Sequence, residues 1–119
     1  MGAPINDRDS LGQTALHYAV CHQNALPLVT IMTEKGAQVD PDRQGDGWTP
    51  LHLAAMMGKY EVTLKLLEMG ADPTTKATNG DTAEDVAKRY KNYALADVLN
   101  RYKVNFVKIK LLIYTTLLF

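Results

Sequence analysis

An excess of either charge is missing from this chain: thirteen Lys and Arg balance thirteen Asp and Glu. Without a basic excess there is no electrostatic case for a nucleic-acid partner, whose phosphates demand a cationic face. The balance gives none for a broadly charged protein partner either. Cysteine is almost absent. Cys21, the single one, can make no internal disulfide and no thiolate metal cluster, which fits a reducing compartment, cytosol or nucleus. The N-terminal Met-Gly-Ala-Pro-Ile-Asn-Asp lacks the basic and apolar regions of a signal peptide. Gly2 lacks the hydroxyl residue that N-myristoylation wants, because Asn6 stands there. The uncharged stretch Leu111–Phe119 has nine residues, against about twenty for a membrane-spanning helix. With 119 residues the chain is long enough for one domain.

Groups that would carry catalysis or bind a metal are equally scarce. Glycines occur singly, and the Gly-Asp-Gly of Gly45–Gly47 lacks the pattern and lysine of a phosphate loop. Asp40, Asp42 and Asp46 cluster without the central glycine and late glutamate of a calcium loop, and read as a solvated turn. Cys21 and His22 are neighbours, but successive helical residues diverge by about 100° and do not form a nucleophile–base pair. No acid or thiol stands at ligand spacing beside His17 or His52. No catalytic residue, metal site, cofactor or small-molecule substrate is expected.

What the chain does contain is self-similarity. GQTALHYAV from Gly12, GWTPLHLAA from Gly47 and GDTAEDVAK from Gly80 align, with the glycines 35 and 33 residues apart. GAQVD from Gly36 matches GADPT from Gly70, which lie 24 and 23 residues into their units. Each unit has a glycine turn, a threonine suited to cap a helix, a short alanine-rich apolar stretch, and a second amphipathic stretch. In the middle unit Gly58 breaks the chain, a helix is expected from about Tyr60 to Met69, and Val62, Leu66 and Leu67 share its apolar face. Gly70 follows as its C-terminal cap. Leu95, Val98, Leu99 and Tyr102 form the matching stripe in the third unit. Asn24 is the expected cap before Pro27, which falls in a first turn where a missing N–H costs little.

A period near 33, one tight turn and two short antiparallel helices resemble the ankyrin repeat. DGWTPLHLAAMMGKYEVTLKLLEMGADP carries the family's tetrapeptide, alanine pair, leucine pair and Gly-Ala-Asp. The resemblance runs from Gly2 to about Tyr102 and implies an all-α solenoid of stacked antiparallel helix pairs joined by β-hairpin-like turns. Residues 1–102 form the expected domain: a partial repeat at 1–8, repeats at about 9–42, 43–76 and 77–102, then an apolar tail at 103–119. Gly2–Asp7 match the segment that closes a repeat, so the array is expected to extend upstream, leaving Leu16, Leu28 and Ile31 partly exposed. At the other end Glu84 and Asp85 replace Leu51 and His52. Thr82 and Asp85 fit a capping box, and Arg89, Lys91 and Arg101 add the polarity of a terminal repeat.

His17 and His52 each follow a threonine, Thr14 and Thr49, by three residues, within reach of the capping hydroxyl. The resemblance implies a structural link between neighbouring turns for these pairs. It also implies a concave binding side made of turn tips and late first-helix positions. By repeat position these are Ser10, Leu11, Gln13, Cys21 and His22, then Asp46, Trp48, Met56 and Met57, then Thr78, Asn79, Asp81, Arg89 and Tyr90. From them Trp48, Met56, Met57, Arg89, Tyr90, Asp46 and His22 are selected as the partner-binding set, since Trp, Tyr and Arg dominate interface hot spots and Met adapts to partners. Trp48, the one tryptophan, holds a turn position that packing does not require to be large; in the competing reading it merely covers the neighbouring turn.

The implied function is a non-enzymatic scaffold that binds another protein in the cytoplasm or nucleus. Alternatives are the cytosolic ankyrin module of a membrane channel or acyltransferase, or a regulatory module of a multidomain enzyme. The tail from Lys103 has two readings. It is an apolar flap that covers the last repeat or touches a membrane, or it is an end unrelated to the array. Its leucine-rich, proline-free composition, like an aggregation-prone segment, favours the second.

Overall fold

Three threonines start the first helix of each pair. In the computed structural model, which describes residues 4–118, helix α1 (Ala15–Cys21), α3 (Pro50–Met57) and α5 (Ala83–Arg89) follow Thr14, Thr49 and Thr82, all extended. Each threonine N–H is capped by the side chain three residues on: His17 Nδ1 at 3.0 Å, His52 Nδ1 at 3.1 Å and Asp85 Oδ2 at 3.0 Å. These contacts satisfy donors that a helix start leaves without intrahelical partners. The second helices are α2 (Ala25–Glu34), α4 (Tyr60–Glu68) and α6 (Tyr93–Leu118). Asn24 holds the cap position of α2, so Pro27 lies in its first turn.

First helices stack on first helices, α1 on α3 on α5, and α2 packs on α4. Close approach of the first layer rests on small side chains: Ala19, Ala54, Ala55, Ala83 and Ala87 are all buried. Leu16, Leu51, Leu66, Leu99, Val20, Val29 and Val86 fill the space between the layers. Gly47, at a left-handed φ of 71°, sits where an added Cβ would meet Thr78 N at 3.0 Å. Gly12 is pressed in the same way against Gln44, whose N would lie 2.7 Å from such a Cβ. Both glycines are required because the turns of successive repeats touch there.

Several expectations need adjusting. Leu16 is 1% exposed rather than part of a bare N-terminal face, because α1 turns it inward among α2 and α3; Leu28 and Ile31 are exposed. The turns close through pairs such as Arg43 N to Trp48 O (3.0 Å) and Ala77 N to Asp81 O (2.8 Å). Among the described residues they form no strand, so they are tight turns. Helix α6 runs unbroken through the expected array–tail division at residue 102. Lys103, on the tail side of that division, donates to Glu84 Oε1 at 2.8 Å. The side chains from Val104 to Leu118 are exposed, apart from a half-buried Phe106. Of the expected partial repeat at 1–8, residues 1–3 lie outside the described residues, as does Phe119 of the tail.

Candidate protein-binding face

Turn tips of successive repeats are joined into a row. Arg43 binds Asp46 through both nitrogens, Nε to Oδ1 at 2.8 Å and Nη2 to Oδ2 at 2.7 Å. This pairing holds the Asp46 carboxyl below the usual carboxylate range. The same guanidinium lies 5.4 Å from the centroid of the Trp48 ring, a cation–π distance, and reaches Gln13 Oε1 in the preceding turn at 3.4 Å. Trp48 is half-buried and packs against the core. Its ring stacks on His52 with centroids 6.0 Å apart at 27°, and the Trp48 backbone N–H donates to Asp46 Oδ1 at 3.0 Å. Trp48 therefore does cover structure beneath it, as the competing reading has it, yet keeps an accessible surface. In the next turn Thr78 N donates to Asp46 O at 2.9 Å, and Arg89 pairs with Asp81 at 2.6 Å.

Behind the row, His17 and His52 are 0% and 1% exposed. Each Nδ1 accepts from a threonine N–H, so each Nε2 carries the proton and donates to a carbonyl of the following turn. His17 reaches Trp48 O and His52 reaches Asp81 O, both at 2.9 Å. Burial lowers the pKa of both rings, against the hydrogen bonds to those carbonyls, which act the other way. With both nitrogens engaged and the charged form disfavoured, these rings hold neighbouring turns together.

The remaining selected residues lie at the far end of the first helices. Met56 is half-buried against the core, and its carbonyl is capped by Asn92 Nδ2 at 3.2 Å. Met57, Tyr90 and His22 are exposed at the ends of α3, α5 and α1. The eight-residue α3 rises about 12 Å and separates Met57, at its C-terminal end, from Trp48, which precedes its start. Arg89 is drawn toward the turns by Asp81. The selected residues thus fall into groups: Trp48, Asp46 and Arg89 at the turns, Met57, Tyr90 and His22 exposed at the helix ends, and Met56 half-buried beside Met57. At the first turn Leu11 is 62% exposed, and Gln13 Nε2 donates to Tyr18 Oη at 3.2 Å. Ser10, Cys21, Thr78 and Asn79 are exposed, and Asp81 is half-buried.

Some contributors were not selected from sequence. Arg43 organises the middle turn, and its place between Asp42 and Asp46 was the available signal. Lys59 Nζ donates to Val20 O and His22 O, both at 2.7 Å, and Asn92 Nδ2 donates to Ala55 O at 2.8 Å. Each caps the end of the preceding repeat's first helix. Their common repeat position, 33 residues apart, was legible. Glu84, where the middle unit has Leu51, is 8% exposed. Burial opposes its ionisation, but Lys103 and Lys88 outweigh burial and lower its pKa. A groove of about 300 Å³ opens between the end of α4 and α6, lined by Leu67, Ala71, Pro73, Tyr102, Phe106 and Ile109 among others.

Comparison with known proteins fits this architecture. The family model described as ankyrin repeats (3 copies) matches residues 1–77. The chain is 31% identical over 104 residues to the tyrosine-protein kinase HTK16 of Hydra vulgaris, covering 87% of this chain and 14% of that protein. It is 37% identical over 102 residues to the human BCL-6 corepressor-like protein 1, covering 82% of this chain and 6% of that protein. With protein phosphatase 1 regulatory subunit 27 of Mus musculus it shares 36% identity over 75 residues, 63% of this chain and 47% of that one. The chain thus spans a small part of the first two of these relatives and about half of the third. Its repeated turns, its stacked helix pairs and these matches agree: the chain belongs to the ankyrin-repeat family.

Proposed function

We propose that this chain recognises another protein through the face made by its turns and first helices. The observation that carries the reading is Trp48: an aromatic held against Arg43 and His52, with surface left to solvent. Fixing such a side chain before contact reduces the conformational entropy lost on docking. Tyr90 and Met57 at the helix ends, and Leu11 at the first turn, extend the contact with exposed apolar area. The family supports the reading, since ankyrin repeats generally mediate protein–protein interaction. The chain acts without catalysis in this proposal: its two buried histidines have both ring nitrogens in structural hydrogen bonds. Its single, exposed cysteine fits work in the cytosol or nucleus.

A second reading, as a module of a larger regulatory protein or enzyme, is favoured by one observation. The curated relatives named above include a kinase of which the chain spans 14%. The test is the same for both. A partner captured by crosslinking is purified, and its affinity is measured for the full chain, for Tyr90→Ala, for Trp48→Ala and for Glu68→Ala on α4. Tyr90 and Trp48 are expected to cost about 2 kcal/mol each, and Glu68 little. Equal losses at all three, with the variants folded, refute the assignment of the face.

A further inference from the structure

The distal half of α6 is the largest feature that neither the repeat fold nor the binding face explains. From Leu111 to Leu118 every side chain is exposed, with Leu112 at 66% and Leu117 at 78%. Exposure covers all sides of the helix. A second copy pairing along any one stripe leaves another face bare: the stripe of Leu111 and Leu118 would leave Leu112, Ile113 and Leu117 in water. A helix apolar all round needs an environment that surrounds it.

Charge narrows the environment further. After Asp97 the helix has no acidic residue, while Arg101, Lys103, Lys108 and Lys110 follow. Arg101 and Lys103 are engaged by Asp97 and Glu84. Lys108 and Lys110, one turn before the apolar end, make no ion pair among the described residues. Two hydroxyls beyond them are satisfied within the helix: Thr115 Oγ1 donates to Leu111 O at 3.0 Å and Thr116 Oγ1 to Leu112 O at 2.8 Å. No helix among the described residues is long and apolar enough to cross a membrane. Eight residues rise about 12 Å, which suits one leaflet of a hydrocarbon core about 30 Å thick.

We propose that residues 111–118 of α6 insert into the surface leaflet of an anionic lipid bilayer, with Lys108 and Lys110 at the level of the headgroups. The cations complement the negative surface, and the apolar end is covered by acyl chains on every side. The repeats, joined to the same helix through Leu95–Leu99, are then held at the membrane surface.

Vesicle flotation tests this with the full chain, because lipid-bound protein rises while self-associated protein sinks. The probes are phosphatidylcholine vesicles with and without about 30% phosphatidylserine, a content that makes the surface strongly negative. The chain is expected to float with the anionic vesicles and much less with the neutral ones. At about 1 kcal/mol per cation, Lys108→Gln with Lys110→Gln is expected to weaken binding to the anionic vesicles roughly 30-fold. Leu112→Asp with Leu117→Asp is expected to abolish flotation. Helical circular dichroism and Trp48 fluorescence are expected to stay unchanged in both variants, since these side chains face solvent. A chain ending at Lys110 gives the same answer without the new charges. Failure to float with anionic vesicles overturns the proposal. So does equal binding to both compositions that is insensitive to the lysines. A dimer in sedimentation that Leu112→Asp with Leu117→Asp dissociates assigns the helix to a second copy and also overturns it.

Discussion

Acidification is expected to weaken this fold well above the range in which carboxylates titrate, because His17 and His52 must stay neutral. Protonation would place a hydrogen on Nδ1, which now accepts from the N–H of Thr14 or Thr49, and would set donor against donor in a buried site. Burial already lowers both pKa values in the folded chain, while in the unfolded chain a histidine titrates near about 6.5. Between the folded and unfolded values the unfolded state holds a proton that the folded state refuses. Stability is therefore full above about pH 6.5 and is lost as pH falls below it, levelling off beneath the folded value. Within that window each histidine contributes a slope of up to about 1.4 kcal/mol per pH unit, so the pair gives up to about 3. The acids held low, Asp46, Asp85 and Glu84, lose their contribution only as pH falls toward the carboxylate range. Asp40 acts the other way. Burial raises its pKa, so it takes up its proton first in the folded state and offsets part of the loss. The assay is the urea midpoint by circular dichroism from pH 8 to 5 in an Asp40→Asn background. A flat profile between pH 7.5 and 5.5 refutes the argument, as does an unchanged slope in His52→Gln.

Three further outcomes follow from geometry. Gly47→Ala is expected to lower stability by about 3 kcal/mol, combining a left-handed φ with contact against Thr78, whereas Gly80→Ala, with open space around it, loses about 1 kcal/mol; thermal melts of both variants compare them. Lys91 has a φ of 63° where the middle repeat has Gly58, so Lys91→Gly is expected to raise stability by up to about 1 kcal/mol, read from the urea midpoint. Ending the chain after Lys103 is expected to preserve the midpoint, while ending it after Tyr102 removes a partner of buried Glu84 and costs about 1 kcal/mol.

Much of the fold was legible because each repeat marks its own turns. The threonines that begin α1, α3 and α5, the glycines between units and the apolar stripe of α4 are local features with local causes. They located the helix expected from about Tyr60 to Met69, which the structure places at Tyr60–Glu68. Leu16 was misjudged because its burial depends on how α1 rolls against α2 and α3, which no neighbour in sequence reports. The continuation of α6 was missed because the stripe ending at Tyr102 marks where packing stops, and a helix does not need packing at every turn to continue. In the candidate face the grouping of the selected residues was not legible. Arg89 follows Asp81 toward the turns while Tyr90, its neighbour, stays at the helix end, and only the folded backbone separates them. Lys59 and Asn92 hold the same repeat position, yet a lysine and an asparagine share no pattern except the capping they perform.

The histidine contacts give the stack a polarity. Each donates from one repeat to the carbonyl of the next, Trp48 O and then Asp81 O, and the series ends at Asp85, a carboxylate with nothing to donate. At the opposite edge Gln13 O holds the position of Trp48 O and Asp81 O, and like them it already takes one bond within its own turn, from Asp9 N at 2.9 Å. A carbonyl has room for a second. A repeat laid against the first turn would find its acceptor waiting, whereas one laid against the last would find no donor. The two edges of the described stack therefore differ in hydrogen-bonding chemistry: a carbonyl acceptor at Gln13, and at Asp85 a carboxylate where the other two units carry a histidine donor.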